Sequence, residues 1–153
     1  MNTDTPPDHK LERHPEAWLG RDFYRFWVTE NVRFADIDAL GHVNNNSYGI
    51  YFEVARIAMW TELYKGNFWK QPQFGLMRAS HIEYHRETHY PSSMDIGVRI
   101  LKTGNTSAGI VVGIFVGDQC HATSHSVMVM VDAKTHSVVP ISDDWRAMAK
   151  TYM

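Results

Sequence analysis

Apolar and polar positions along this chain change rhythm, and the changes divide it into elements. At 22–33 the segment DFYRFWVTENVR alternates loosely and is rich in aromatic and β-branched residues, which predicts a first strand. Over 45–64 the period becomes helical. Tyr48, Tyr51, Phe52, Ala55, Met59, Trp60 and Leu63 recur at that spacing, and Ile50, Val54, Ile57 and Ala58 extend the apolar surface nearly all round. Such a helix is expected to be buried on most sides. Asn44, Asn45 and Asn46 each offer a side-chain acceptor for its first N–H groups, so the cap is one of three. The stretch 66–75 reads as irregular. Beyond it, strand-like runs at 80–88, 94–102, 107–116, 121–132 and 138–141 are separated by turn signals at Pro91-Ser92-Ser93, Gly104-Asn105, Gly117-Asp118 and Asp132-Ala133-Lys134.

Short connections imply antiparallel neighbours, because parallel pairing needs a long crossover. The outline is an α+β chain: one strand, one helix, then an antiparallel meander. A helix can be buried on most sides only if that sheet curls around it. The open edges of such a sheet predict a homodimer or a dimer of dimers. Residues 1–20 read as a tail or arm, pinned at its end by Trp18 and Leu19, and 21–153 as a single domain.

Composition narrows the partners. A charged fraction of 21% against 44% hydrophobic residues fits a globular chain rather than a disordered one. The net charge is −2 and the Lys and Arg residues are scattered, so the basic stripe of a nucleic-acid binder is missing. Cys120 is the only cysteine, which excludes an internal disulfide and suits a reducing compartment. The opening MNTDTPPDHKLER lacks the apolar core of a secretory signal, and no run reaches the roughly 18 apolar residues of a membrane span, so a cytoplasmic location without membrane attachment is expected.

The chemistry concentrates in 33–48, RFADIDALGHVNNNSY, where two carboxylates, a histidine and a glycine directly precede a helix start. Helix starts present free N–H groups and partial positive charge, suited to the oxyanion that forms when a thioester carbonyl is attacked. A nearby carboxylate can attack that carbon or deprotonate water. Asp36 and Asp38 can equally serve the loop by bonding its amides.

The pattern D-x-D-x-x-G-H-V-N-N-x-x-Y, opening a helix that reads YFEVAR, resembles the acyl-CoA thioesterases of the 4-hydroxybenzoyl-CoA thioesterase type, with further likeness in GNTS at 104–107 and in the ending MVMVDAKTHSVVPI. That resemblance implies the hotdog fold, a curved antiparallel sheet wrapped around one long helix. It implies hydrolysis of an acyl-CoA or acyl-carrier-protein thioester at a subunit interface, with CoA as part of the substrate and no separate cofactor. Asp38 takes the position of the catalytic carboxylate and Asn45 that of the amide polarising the carbonyl. The resemblance leaves open whether the aspartate forms an anhydride or activates water. His42 stands where the best-known relatives carry an apolar residue, either orienting Asp38 or water or bracing the loop. Gly41, Val43, Asn44 and Tyr48 are the expected substrate contacts, and Asp36 is expected to bond loop amides.

Two other readings compete. A hotdog hydratase or dehydratase would pair an aspartate and histidine in a D-x-N-P-x-H-type loop, or use a His and a Glu across subunits; here Asp38 and His42 are four apart with no Asn-Pro between them. A non-catalytic acyl-CoA-binding module would be expected to lose the loop carboxylates, and both are present. His81, His85 and His89 invite a metal reading, but HIEYHRETHY alternates, so the three would line one face of a strand over about 26 Å, too far to share one ion. No metal is expected. No G-x-S-x-G elbow exists and Cys120 has no evident base, which disfavours Ser- or Cys-based covalent catalysis. Met59, Trp60, Tyr64, Phe68, Trp69, Phe74 and Met77 are either core or the wall of an acyl pocket.

Overall fold

The structure, a computed structural model, describes residues 13–153; the first twelve residues of the expected arm therefore lie outside the described residues. Five strands form one antiparallel sheet: β1 (Phe26–Asn31), β2 (Gln73–Tyr84), β3 (Ser93–Thr103), β4 (Ser107–Val116) and β5 (Gln119–Asp132), in the spatial order β1-β3-β4-β5-β2. The long helix α1 (Asn45–Leu63) lies against one face of it. This is the hotdog arrangement expected from the curling argument.

Strand register explains the core. Residues paired across antiparallel strands share a face, so Phe26, Val98, Val112, Ser124 and Ile82 form one row under the helix, and Val28, Ile96, Ile114, Ala122 and Tyr84 the next. Tyr48, Tyr51, Phe52, Ala55, Met59 and Trp60 of α1 pack onto these rows. The helix is not buried on most sides, however: Ile50 and Val54 are exposed on this chain.

The opposite face is covered by the chain's own N-terminal segment. A 3-10 turn, Glu16–Leu19, buries Trp18 but leaves Leu19 exposed. Tyr24 then lies flat across the sheet, its hydroxyl donating to the Trp18 carbonyl at 2.6 Å. Gly97 and Gly113 make room for it, since a Cβ at either position would approach the Tyr24 side chain to 2.6 and 2.2 Å respectively.

Three expectations are corrected. β2 starts at Gln73 and ends at Tyr84, because residues that read as irregular pair with the end of β5 and a register shift between Met77 and Ala79 breaks the alternation. The segment 138–141 makes only an isolated bridge, Val131 to Val138; Pro140 has no N–H for a ladder. Finally, a short helix α2 (Asp143–Ala149) was not anticipated. It is capped by Ser142, whose Oγ accepts from the Trp145 N–H at 3.2 Å, and it packs Trp145 against Trp60.

Candidate active site

The loop between β1 and α1 is a small hairpin. Ile37 bridges Val43, the Asp38 N–H donates to the His42 carbonyl (3.0 Å), and the Gly41 N–H returns to the Asp38 carbonyl (3.0 Å). Gly41 turns the chain with φ +84°, a left-handed conformation that glycine adopts without strain. The loop is then tied to the segment after β2: the Val43 N–H donates to the Thr88 carbonyl at 2.8 Å, and His89 Nδ1 lies 3.0 Å from the Gly41 carbonyl.

Asp38 emerges at the tip. One carboxylate oxygen accepts the Leu40 N–H at 2.8 Å and the other lies 3.6 Å from His42 Nδ1. That separation brings the two side chains together without making a hydrogen bond. Asp36 sits in a different world. It is buried and receives Arg33 in a bidentate grip at 2.8 and 3.0 Å, together with a short hydrogen bond from the Tyr51 hydroxyl. Burial alone would raise its pKa, but the Arg33 guanidinium and the Tyr51 hydroxyl outweigh it and hold the carboxyl below the ordinary value. Its side chain bonds these two partners rather than the expected loop amides; only its carbonyl serves the loop, accepting the Asn44 N–H at 2.8 Å.

At the helix start the three-way ambiguity resolves on Asn44. Its backbone is extended (φ −60°, ψ 139°) and its side chain accepts the Asn46 N–H at 2.9 Å. The Asn45 N–H, next in line, bonds no other described residue. Such a helix-terminal donor suits a developing oxyanion.

Asn45 and His42 border an open cleft of about 220 Å³ whose walls also include Val43, Tyr48, Tyr84, His85, Arg86 and Glu87. The expected contacts divide. Tyr48 presents its ring, edge-on to Tyr84, while its hydroxyl is committed to Thr88 Oγ1 at 3.0 Å. The Val43 side chain is buried in the core, and Gly41 and Asn44 act through the loop and the cap. Tyr84 and Glu87 were missed by the sequence reading, which placed them with Arg86 along one strand. β2 stops at Tyr84, so the chain leaves the sheet and swings these residues beside the helix start; the Tyr84 hydroxyl reaches the Asn45 carbonyl at 3.2 Å.

The same departure separates the three histidines. His81 stays on β2, His85 bonds Thr123, and His89 joins the loop between β1 and α1. The acyl-pocket candidates also separate: Trp60, Tyr64, Phe68 and Phe74 line an apolar pocket of only about 10 Å³, Met59 is core, and Trp69 and Met77 are exposed. A space that size holds about one water, not an acyl chain. Among the described residues no helix is long and apolar enough to cross a membrane.

The fold and this loop can be set beside known proteins. The chain is similar to the PA5185 protein of Pseudomonas aeruginosa at 24% identity, with a TM-score of 0.79 and coverage of 88% of this chain and 96% of that one. It is similar to a thioesterase of Thermus thermophilus complexed with coenzyme A and Zn at 22% identity, TM-score 0.76, covering 86% and 96%. A DHNA-CoA thioesterase of Staphylococcus aureus matches at 19% identity, TM-score 0.70, covering 81% and 87%. At such identities the likeness speaks for the fold. No curated protein matches the chain. A model of the thioesterase-like superfamily matches residues 32–148, which include the whole loop, the helix and the sheet from β2 onward. The chain belongs to the thioesterase-like superfamily, and its enzyme class is thioester hydrolase.

Proposed function

We propose that this chain hydrolyses an acyl-CoA or acyl-carrier-protein thioester, with Asp38 as the catalytic carboxylate and the Asn45 N–H as the donor to the carbonyl oxygen. One observation carries the reading: the half-buried Asp38 carboxylate lies 3.6 Å from His42, and His42 and Asn45, whose N–H has no partner among the described residues, both border one cleft. As the thioester carbon becomes tetrahedral, its oxygen gains negative charge, which the Asn45 N–H and the helix dipole stabilise. Asp38 either attacks the carbon, giving an anhydride that water opens, or removes a proton from the attacking water. Both routes release the thiol and a carboxylate and need no cofactor. His42, 3.6 Å from Asp38, is close enough to steer the carboxylate.

The cleft of about 220 Å³ is too small for a whole acyl-CoA, and it opens beside β2, the twelve-residue edge strand of the sheet. Leu76 and Met77 are exposed along that edge. An unpaired edge with exposed apolar residues is a pairing surface, and a homodimer formed there would complete the substrate site.

Asp38→Asn tests the assignment. Thiol release from a panel of acyl-CoAs is expected to fall by roughly 10²–10⁴-fold while the fold stays intact. A variant that releases thiol as fast as the parent removes Asp38 from the mechanism. Label in the Asp38 carboxylate after single-turnover hydrolysis in ¹⁸O-water identifies the anhydride route, because water that opens the anhydride at the Asp38 carboxyl carbon leaves its oxygen there and water activation by Asp38 does not.

A further inference from the structure

The face of the sheet turned away from α1 carries a cluster that thioester hydrolysis does not use. Strand pairing sets His81 of β2 beside His125 of β5, and Glu83 beside Thr123. His14 crosses above them. Its ring meets that of His81 edge-on with centroids 4.7 Å apart, and its backbone N–H donates to Glu83 Oε1 at 2.7 Å. One ligand atom each from His14, His81 and Glu83 lie within 4.8 Å of one another, on the wall of an open cavity of about 700 Å³.

The hydrogen bonds orient the donor atoms. His14 Nδ1 lies 2.6 Å from Thr123 Oγ1, and the same hydroxyl lies 2.9 Å from His85 Nε2. A hydroxyl has one proton to give and two lone pairs, so at most one of the two rings accepts from it and at least one donates to it. With His14 as the donor, its Nε2 carries a lone pair. That Nε2 is buried and has no hydrogen-bond partner among the described residues. Leaving such an atom unmatched costs free energy, and a bound ligand removes the cost.

We propose that His14, His81 and Glu83 bind one borderline divalent cation, of which Zn²⁺ is the type, and that this ion clips the segment around His14 to edge strand β2. Two imidazoles and a carboxylate suit Zn²⁺ and its transition-metal neighbours rather than Mg²⁺ or Ca²⁺, which prefer all-oxygen sites. Thr123 is the outer partner that holds the His14 ring in the binding tautomer. Zn–ligand bonds of about 2.0–2.1 Å in a tetrahedron set ligand atoms about 3.3 Å apart, so the side chains close in by about 1.5 Å, and a fourth position stays open to water.

The test is calorimetric titration of the tag-free full chain, first stripped with a chelator, with Zn²⁺. One ion per chain is expected, together with a higher thermal midpoint. Losing a ligand costs at least as much as losing an outer-shell partner, so His81→Ala and Glu83→Gln should each weaken binding by roughly 10–100-fold or more and abolish the thermal shift. Glu83→Gln keeps a side-chain oxygen for the His14 N–H, so the segment stays docked and lost binding reports the ligand. Absence of saturable binding by the parent chain overturns the proposal. So does equal binding by both variants, or binding of Mg²⁺ as strong as that of Zn²⁺.

Discussion

Asp36 and Asp38 lie two residues apart on the same loop, and the structure gives them opposite surroundings. The Asp36 side faces inward, where the Arg33 guanidinium and the Tyr51 hydroxyl of α1 saturate the carboxylate. The Asp38 side chain is only half-buried, with one oxygen on the Leu40 N–H and the other only near His42, which borders the cleft. A carboxylate already held by a cation and a hydroxyl has little capacity left for a substrate; a partly satisfied one beside a cleft-lining histidine retains it. The inner aspartate anchors the loop to the helix, and that anchor fixes where the outer one points. Residue type and spacing are the same for both, so environment alone distinguishes scaffold from chemistry.

Exchanging each carboxylate for its amide should separate the two roles. Asp38→Asn carries the largest expected effect, the 10²–10⁴-fold loss of thiol release, with an unfolding free energy within about 0.5 kcal/mol of the parent, as for most substitutions away from packed features. Asp36→Asn should do the reverse. It keeps the shape but weakens a charge-assisted bond to a buried hydroxyl, and a loss of about 2 kcal/mol in stability is expected from urea unfolding. Activity should fall far less than in Asp38→Asn. If Asp36→Asn instead abolishes turnover at unchanged stability, the assignment of the two roles is inverted.

The contrast between the aspartates could not be read along the chain, whereas much around it could. α1 was legible because Tyr48, Phe52, Ala55 and Met59 repeat at the helical period and face a single core. β4 was expected at 107–116 and is found at Ser107–Val116, since short turn signals bound it on both sides. The first half of β2 was not legible: Gly75 and the register shift after Met77 erase the alternation on which strand recognition depends. The loop stood out because its residues are contiguous. Its opposite wall did not, because Tyr84, Arg86 and Glu87 reach the helix start only through the end of β2, a non-local event without a local signal. Likewise, three identical asparagines cannot reveal which is the cap; the extended backbone of Asn44 decides it.

Acid should blur the stability half of the comparison. Asp36 in the folded chain titrates below its ordinary value, whereas in the unfolded chain it titrates near about 4. Its contribution is therefore complete above about pH 4 and is lost as pH falls through the lower folded value, where the folded state also takes up the proton. Asp95 and Asp132 are also depressed, but parent and Asp36→Asn share them. The stability gap between those two proteins, measured by urea unfolding at a series of pH values, should hold from neutrality to about pH 4 and narrow below it. A gap that widens in acid contradicts the depressed pKa.

The smallest effect tests the tip itself. Gly41 holds φ +84°, and a Cβ built there meets nothing within 4 Å, so Gly41→Ala costs only backbone strain. Placing alanine in that region costs about 1 kcal/mol, which corresponds to a drop of roughly 2–4 °C in thermal midpoint for a chain of this size. The Gly41 N–H and carbonyl bind Asp38 and His89, so relief of the strain should tilt the tip and lower kcat/KM without touching Asp36. The measurement is a paired one, thermal midpoint and kcat/KM on the same preparation. A variant that keeps both would mean that the turn holds Asp38 without requiring the left-handed glycine, and the aspartate's orientation would then rest on Leu40 and His42 alone.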